Sequence, residues 1–207
     1  MINISDSKTK LVSDFKDKTY WILGFVVIVW VVALVNLFLG YRLDAWGLYP
    51  RSVRGLVGIF LSPFLHYGLR HVLANTIPFV VLGSLVILRG IEEFLELTLF
   101  IIVVGGAAVW LLGRPAYHVG ASGLIMGYFG FLVARGWYER SFVSTIIAVF
   151  VIVFYGGAIW SVLPGAWRVS WEMHLFGLIS GVLAARLLTA RPASSHLPGE
   201  GAHNWES

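Results

Sequence analysis

Cysteine is absent from the 207-residue sequence, and charge is scarce. Without a thiol there can be no disulfide framework, no thiolate metal site and no cysteine nucleophile, and nothing reports the redox compartment. Charged residues make up 13% of the chain against 58% hydrophobic, where a soluble domain carries roughly 25% charged. Most of the chain is therefore expected to sit in lipid, as one domain whose core is a bundle of membrane helices. A convincing internal repeat, of the kind that builds many transporters, is also missing. The formal net charge of +4 needs no nucleic acid to explain it, because in a membrane protein basic residues set orientation and hold anionic headgroups.

Apolar runs of bilayer-crossing length, about 20 residues, lie between charged punctuation at 20–39, 68–88, 95–112, 122–134, 142–163 and 171–188. They predict an all-α polytopic membrane protein with six transmembrane helices over residues 20–188. The first run is too long for the apolar region of a signal peptide and lacks a small-residue cleavage site, so it reads as a retained span. Residues 1–19 read as a solvated N-terminal segment. Residues 189–207, rich in Pro, Gly, Ser and His, read as a disordered tail. With the N-terminus inside, Lys8, Lys10, Lys16, Lys18, Arg89, Arg135, Arg140, Arg186 and Arg191 collect on the cytoplasmic side, against Arg42, Arg51, Arg54, Arg114 and Arg168 outside. The positive-inside rule then puts both termini in the cytoplasm of a cell (inner) membrane protein.

The fourth run is anomalous. Residues 122–134 make a helix of only about 20 Å against a hydrocarbon core of roughly 30 Å, so its start is expected below the membrane surface. Segment 113–121, which contains Gly113, Pro115 and Gly120, is irregular by composition. Such backbone is tolerated at depth only beside a wet cavity or buried in protein, which predicts a water-accessible pocket ending on Ser122. A serine opening a helix is most often its N-cap. It also sits where unpaired backbone N–H groups and the positive end of the helix dipole can hold an oxyanion.

Two smooth faces bring a second residue to that pocket. Gly123, Gly127, Gly130 and Ala134 recur on one side of the fourth span. His174, Gly177, Gly181 and Ala184 or Ala185 recur on one side of the sixth. Small-residue faces allow close helix approach in membranes. Both spans run from outside to inside, so docking them sets Ser122 and His174 at similar depth. In the second span His71 and Asn75 form an i, i+4 pair on one face, and both residue types can donate to an oxyanion. The simpler reading of the pair is interhelical hydrogen bonding. His66 lies five residues earlier on a poorly aligned side, and Pro78 should kink or loosen the helix.

Together, His66 and His71 with Asn75, then Gly120-Ala121-Ser122-Gly123, then His174 followed by Gly177 and Gly181, resemble the rhomboid family of intramembrane proteases over roughly residues 51–188. The resemblance implies a six-helix rhomboid-like bundle. It implies Ser122 as nucleophile and His174 as general base of a serine endopeptidase acting on transmembrane protein substrates, without cofactor or metal. It further implies an oxyanion hole of His71, Asn75 and the Ser122 N–H, with His66 in a structural role. Two departures stand out. Met126 occupies a position that is aromatic in many members, where a thioether can still pack on an imidazole, and Leu56 to Phe60 lack the tryptophan-led pair often found before the first histidine. The loop over residues 40–63 is expected to lie partly in the outer interface, where Trp46 and Tyr49 are favoured.

Other intramembrane protease chemistries fail on inventory. No HExxH motif is present, and Asp6, Asp14, Asp17 and Asp44 all fall outside the spans. Glu172, two residues from His174, is expected to point away on the helix and to snorkel or cap, which leaves a dyad without an acid. The remaining alternative is an inactive rhomboid-like protein that binds transmembrane helices; such a protein would be expected to have lost the serine or the histidine.

Overall fold

The computed structural model describes residues 4–165 and 170–189. Arg168, Arg191 and the tail from residue 190 lie outside these described residues. The chain forms α1 (Ile4–Phe38), α2 (Val53–Leu61), α3 (Leu69–Ile87), α4 (Ile91–Phe100), α5 (Gly106–Leu112), α6 (Ser122–Glu139), α7 (Phe142–Tyr155) and α8 (Trp171–Thr189). A π-helical turn at Ile101–Gly105 joins α4 to α5 as one crossing, and a 3-10 segment, Gly156–Val162, extends α7. Among the described residues the only β pairing is an isolated antiparallel bridge between Leu48 and His118.

Five helical stretches are long and apolar enough to cross a membrane: Val12–Phe38, Leu69–Ile87, Ile91–Leu112, Phe142–Val162 and Trp171–Leu188. The protein is thus a multi-pass membrane protein, but the expected sixth crossing is not among the five. The missing one is α6, and the reason is its position. Every residue from Gly123 to Leu132 is buried by protein, so α6 needs no apolar coat and can carry glycines and a buried arginine. Its length also corrects the expectation. It runs for 18 residues, about 27 Å, and not for 13, because Arg135 and Glu139 continue the helix.

The approach to Ser122 is built from packed loops. Segment 113–121 is folded in among other loops, with His118, Val119 and Gly120 buried. Its backbone is paired, Leu48 N–H donating to His118 O at 3.1 Å, His118 N–H to Leu48 O at 2.8 Å, and Gly120 N–H to Ser62 O at 2.8 Å. Paired backbone of this kind is what irregular structure needs when it is buried in protein. The long loop before α3 is not loose either. It holds a 3-10 turn at Arg42–Trp46 and α2, whose N-cap Ser52 accepts from Gly55 N–H at 3.0 Å.

Helix α1 begins at Ile4 and so runs through the boundary at residue 20. At 35 residues it is about 52 Å long, well beyond the hydrocarbon thickness. Pro78 is carried inside an unbroken α3. The main core surrounds α6, with Tyr128, Phe129 and Phe131 packed against Phe79, Leu82, Val86, Phe94, Leu97 and Ile101. The Tyr128 hydroxyl is satisfied by Thr98 Oγ1 at 2.6 Å.

At the end of α6 away from Ser122, Arg135 is 6% exposed and pairs with Glu93 and Glu139. Arg89 reaches the same two carboxylates, each at 3.1 Å. This cluster ties α4 to α6 where the helices leave the core.

Candidate active site

The closest approach in the bundle is between α6 and α8, and glycine makes it possible. A Cβ added to Gly177 would fall 2.1 Å from Gly123 O, and one on Gly181 only 1.8 Å from Gly127 O. On α6, Gly123 faces Met173 and Gly130 faces Leu178, as the small-residue faces predict. Gly127 turns its open side to Ile101 instead. Both α8 glycines therefore meet α6, while the α6 face is shared with the π-helical turn.

Four of the sequence-predicted residues, Ser122, His174, His71 and Asn75, line one open cavity of about 1220 Å³. Ser122 is not an N-cap. Ala121 holds that position with no side-chain bond, so the hydroxyl is not consumed by its own helix. Among the described residues no hydrogen bond joins Ser122 to His174. The His174 ring is held from its other side, Nδ1 lying 3.1 Å from Ser161 O. A carbonyl only accepts, so Nδ1 carries the proton, and Nε2 is left as the basic nitrogen.

Next to Ser122, Gly120 has φ +120°, and a Cβ there would lie 2.7 Å from His71 Cε1, 2.9 Å from His71 Nε2 and 3.6 Å from Asn75 Nδ2. Glycine is required twice over, for the backbone angle and for the space. The effect is to bring the donors of α3 against the backbone leading to the serine. Asn75 is 8% exposed, and its Nδ2 has no hydrogen-bond partner among the described residues. An unpaired buried donor is costly, and at a cavity wall it is poised to meet an acceptor.

His66 stands outside the cavity lining. At 1% exposure its Nε2 accepts from Ala121 N–H at 3.3 Å, and its ring meets that of His71 edge-on at 4.9 Å. Burial, then the neighbouring His71, lowers its pKa to about 4, so the ring is neutral and can accept. It thus braces the residue just before Ser122. Met126 is buried in the main core.

Asp44, Arg114, His118 and Ser170 add further polar groups to the cavity wall. Glu172 does not snorkel. It is 1% exposed and pairs with Arg114, whose Nε lies 3.2 Å from Oε1. His118 is likewise buried, between Ser170 and the Arg114 carbonyl, and burial lowers its pKa. Asp44 accepts from Asn36 Nδ2 at 2.8 Å, and burial raises its carboxyl above the usual range. The one available signal was topological: Arg114 and Glu172 fall at the same end of neighbouring crossings. No group of three or more His, Asp or Glu able to hold a metal occurs among the described residues.

Comparison with known proteins agrees with this architecture. The model of the Rhomboid domain matches residues 53–191. An uncharacterized protein of Mycobacterium tuberculosis (strain ATCC 25618 / H37Rv) is 39% identical over 178 residues, covering 82% of this chain and 74% of that protein. An uncharacterized protein of Mycobacterium leprae (strain TN) is 39% identical over 184 residues, covering 82% and 70%.

Proposed function

The chain belongs to the rhomboid family, and from that membership together with the cavity we propose that it is an intramembrane serine endopeptidase with Ser122 as nucleophile and His174 as general base. The observation that carries the reading is the convergence of Ser122, His174, His71 and Asn75, from three helices, on one open cavity. A serine hydroxyl is a weak nucleophile until a base takes its proton. Here the base is His174 Nε2, left free because Nδ1 faces Ser161 O. A backbone carbonyl thus orients the imidazole, a part that a buried carboxylate plays in a full triad.

In the proposed cycle a transmembrane segment of a substrate protein unwinds at the outer half of the bilayer and presents a carbonyl carbon to the cavity. Ser122 Oγ attacks it while His174 Nε2 takes the hydroxyl proton. The oxyanion is held by the Ser122 N–H, His71 and Asn75, donors fixed before the reaction begins. Collapse breaks the C–N bond, and His174 returns the proton to the leaving amine. Water in the cavity, with His174 again as base, then hydrolyses the acyl-enzyme. Residues 20–188 form the catalytic domain, the lipid bilayer is its solvent, and both termini face the cytoplasm.

The test is covalent labelling of the full chain in detergent by a fluorophosphonate. Wild type is expected to label, and Ser122→Ala and His174→Ala are expected not to. Labelling that persists in a folded Ser122→Ala variant would remove Ser122 from the reaction. A folded wild type that never labels would point to a helix-binding protein without catalysis.

A further inference from the structure

We infer that His118 is a positioning residue for this site, tying the segment that leads into Ser122 to the first turn of the helix that carries His174. The inference rests on the Ser122/His174 reading above and adds to it how the two residues are kept in register without a carboxylate between them.

His118 is an unusual residue for a loop, being 1% exposed while both ring nitrogens are engaged. Nδ1 lies 2.6 Å from Ser170 Oγ, and Nε2 lies 3.2 Å from Arg114 O. Only one neutral tautomer fits. The Arg114 carbonyl can only accept, so Nε2 carries the proton, and Nδ1 must accept from the Ser170 hydroxyl. Ser170 Oγ is free to donate that proton while a lone pair accepts from Met173 N–H at 3.2 Å. Every member of the chain from Met173 through Ser170 and His118 to Arg114 then has a consistent direction.

The two ends of that chain are the two halves of the site. Ser170 caps α8 through both of its oxygens, the hydroxyl on Met173 N–H and the carbonyl accepting from His174 N–H at 3.3 Å. Met173 in turn packs on Gly123, the residue after Ser122, whose Cβ position would lie 3.1 Å from Met173 O. On the other side, His118 exchanges two backbone bonds with Leu48 and is four residues from Ser122. The Arg114–Glu172 pair runs parallel to it, from the start of the same segment to the same helical turn. One imidazole therefore joins the outer loop, the approach to the nucleophile and the first turn carrying the base.

The experiment measures the rate of fluorophosphonate labelling of the full chain in detergent, normalised to folded protein by thermal unfolding. His118→Phe keeps the ring volume and loses both bonds; a drop of about tenfold or more is expected, since ångström-scale misplacement of reacting groups carries penalties of this size. His118→Asn puts Oδ1 where Nδ1 stood, restores the acceptor for Ser170, and is expected to recover most of the rate. Ser170→Ala is expected to slow labelling, and combining it with His118→Phe to cost less than the product of the two single effects, because both changes remove the same His118–Ser170 bond. A wild-type rate in folded His118→Phe overturns the inference, as do single effects that simply multiply. Should His118→Phe fail to fold, His118→Asn and Ser170→Ala still decide it. A wild type that does not label fails the earlier reading, which is a different result from a labelled wild type indifferent to His118.

Discussion

Adding one carbon to Gly177 tests whether the contact between α6 and α8 sets the chemistry. The Cβ of Gly177→Ala would lie 2.1 Å from Gly123 O, whereas a carbon and a carbonyl oxygen approach no closer than about 3.3 Å. The neighbour is backbone and cannot rotate away, so α8 must retreat from α6 by about 1.2 Å at that level. Gly177 lies three residues after His174, and Gly123 follows Ser122, so the displacement falls between the proposed base and nucleophile. Misplacement on the order of 1 Å costs about a hundredfold in rate, while overpacking costs roughly 1–3 kcal/mol of stability. The assay is labelling rate together with cleavage of a reconstituted transmembrane substrate, read beside a thermal unfolding curve. Gly24→Ala serves as control, since a Cβ there meets nothing within 4 Å. A folded Gly177→Ala variant that labels within about threefold of wild type, against the hundredfold expected, would show that the spacing of these helices does not position the dyad.

Two further outcomes follow from groups outside the cavity. The His66 pKa is lowered from 6.5 to about 4, so the fold favours the neutral ring: that contribution is fully present above pH 6.5 and is lost as pH falls from 6.5 to about 4. It amounts to about 3 kcal/mol at most; unfolding of wild type and His66→Phe at pH 7.5 and pH 4.5 checks it, and equal pH dependence in the two would refute it. Arg135→Met strips the buried cation from Glu93 and Glu139. The loss should be at the low end of the roughly 3–5 kcal/mol for an uncovered buried charge, because Arg89 still reaches both carboxylates. Denaturant unfolding measures that loss, and labelling per folded molecule should be unchanged at this distance from Ser122.

The residues that converge on the cavity were legible because each lies on a helix, where spacing dictates direction. His71 and Asn75 share a face at i, i+4, and the glycines of α8 share theirs with His174, so periodicity alone brings the side chains to common ground. The same reasoning failed where charge was taken for the end of a helix. Arg135 and Glu139 looked like a boundary at Ala134, yet they pair with each other and with α4, which lets α6 run on. Charge early in α1 misled in the same way, the helix simply projecting past the hydrocarbon. The π-helical turn at Ile101–Gly105 sits in an unbroken apolar run, and nothing in such a run distinguishes one helical pitch from another.

His118, Ser170, Arg114 and Glu172 were illegible for a different reason. They come from two segments more than fifty residues apart, and each one alone reads as an ordinary loop or helix-end residue. What makes them a unit is burial, which favours paired donors and acceptors, and burial of loops is a property of the assembled bundle. The helices therefore announce which side chains share a cavity, while the polar contacts between loops decide how closely those side chains are held. A variant screen guided by helix periodicity alone would find Ser122 and His174. It would pass over His118, the residue inferred to register one against the other.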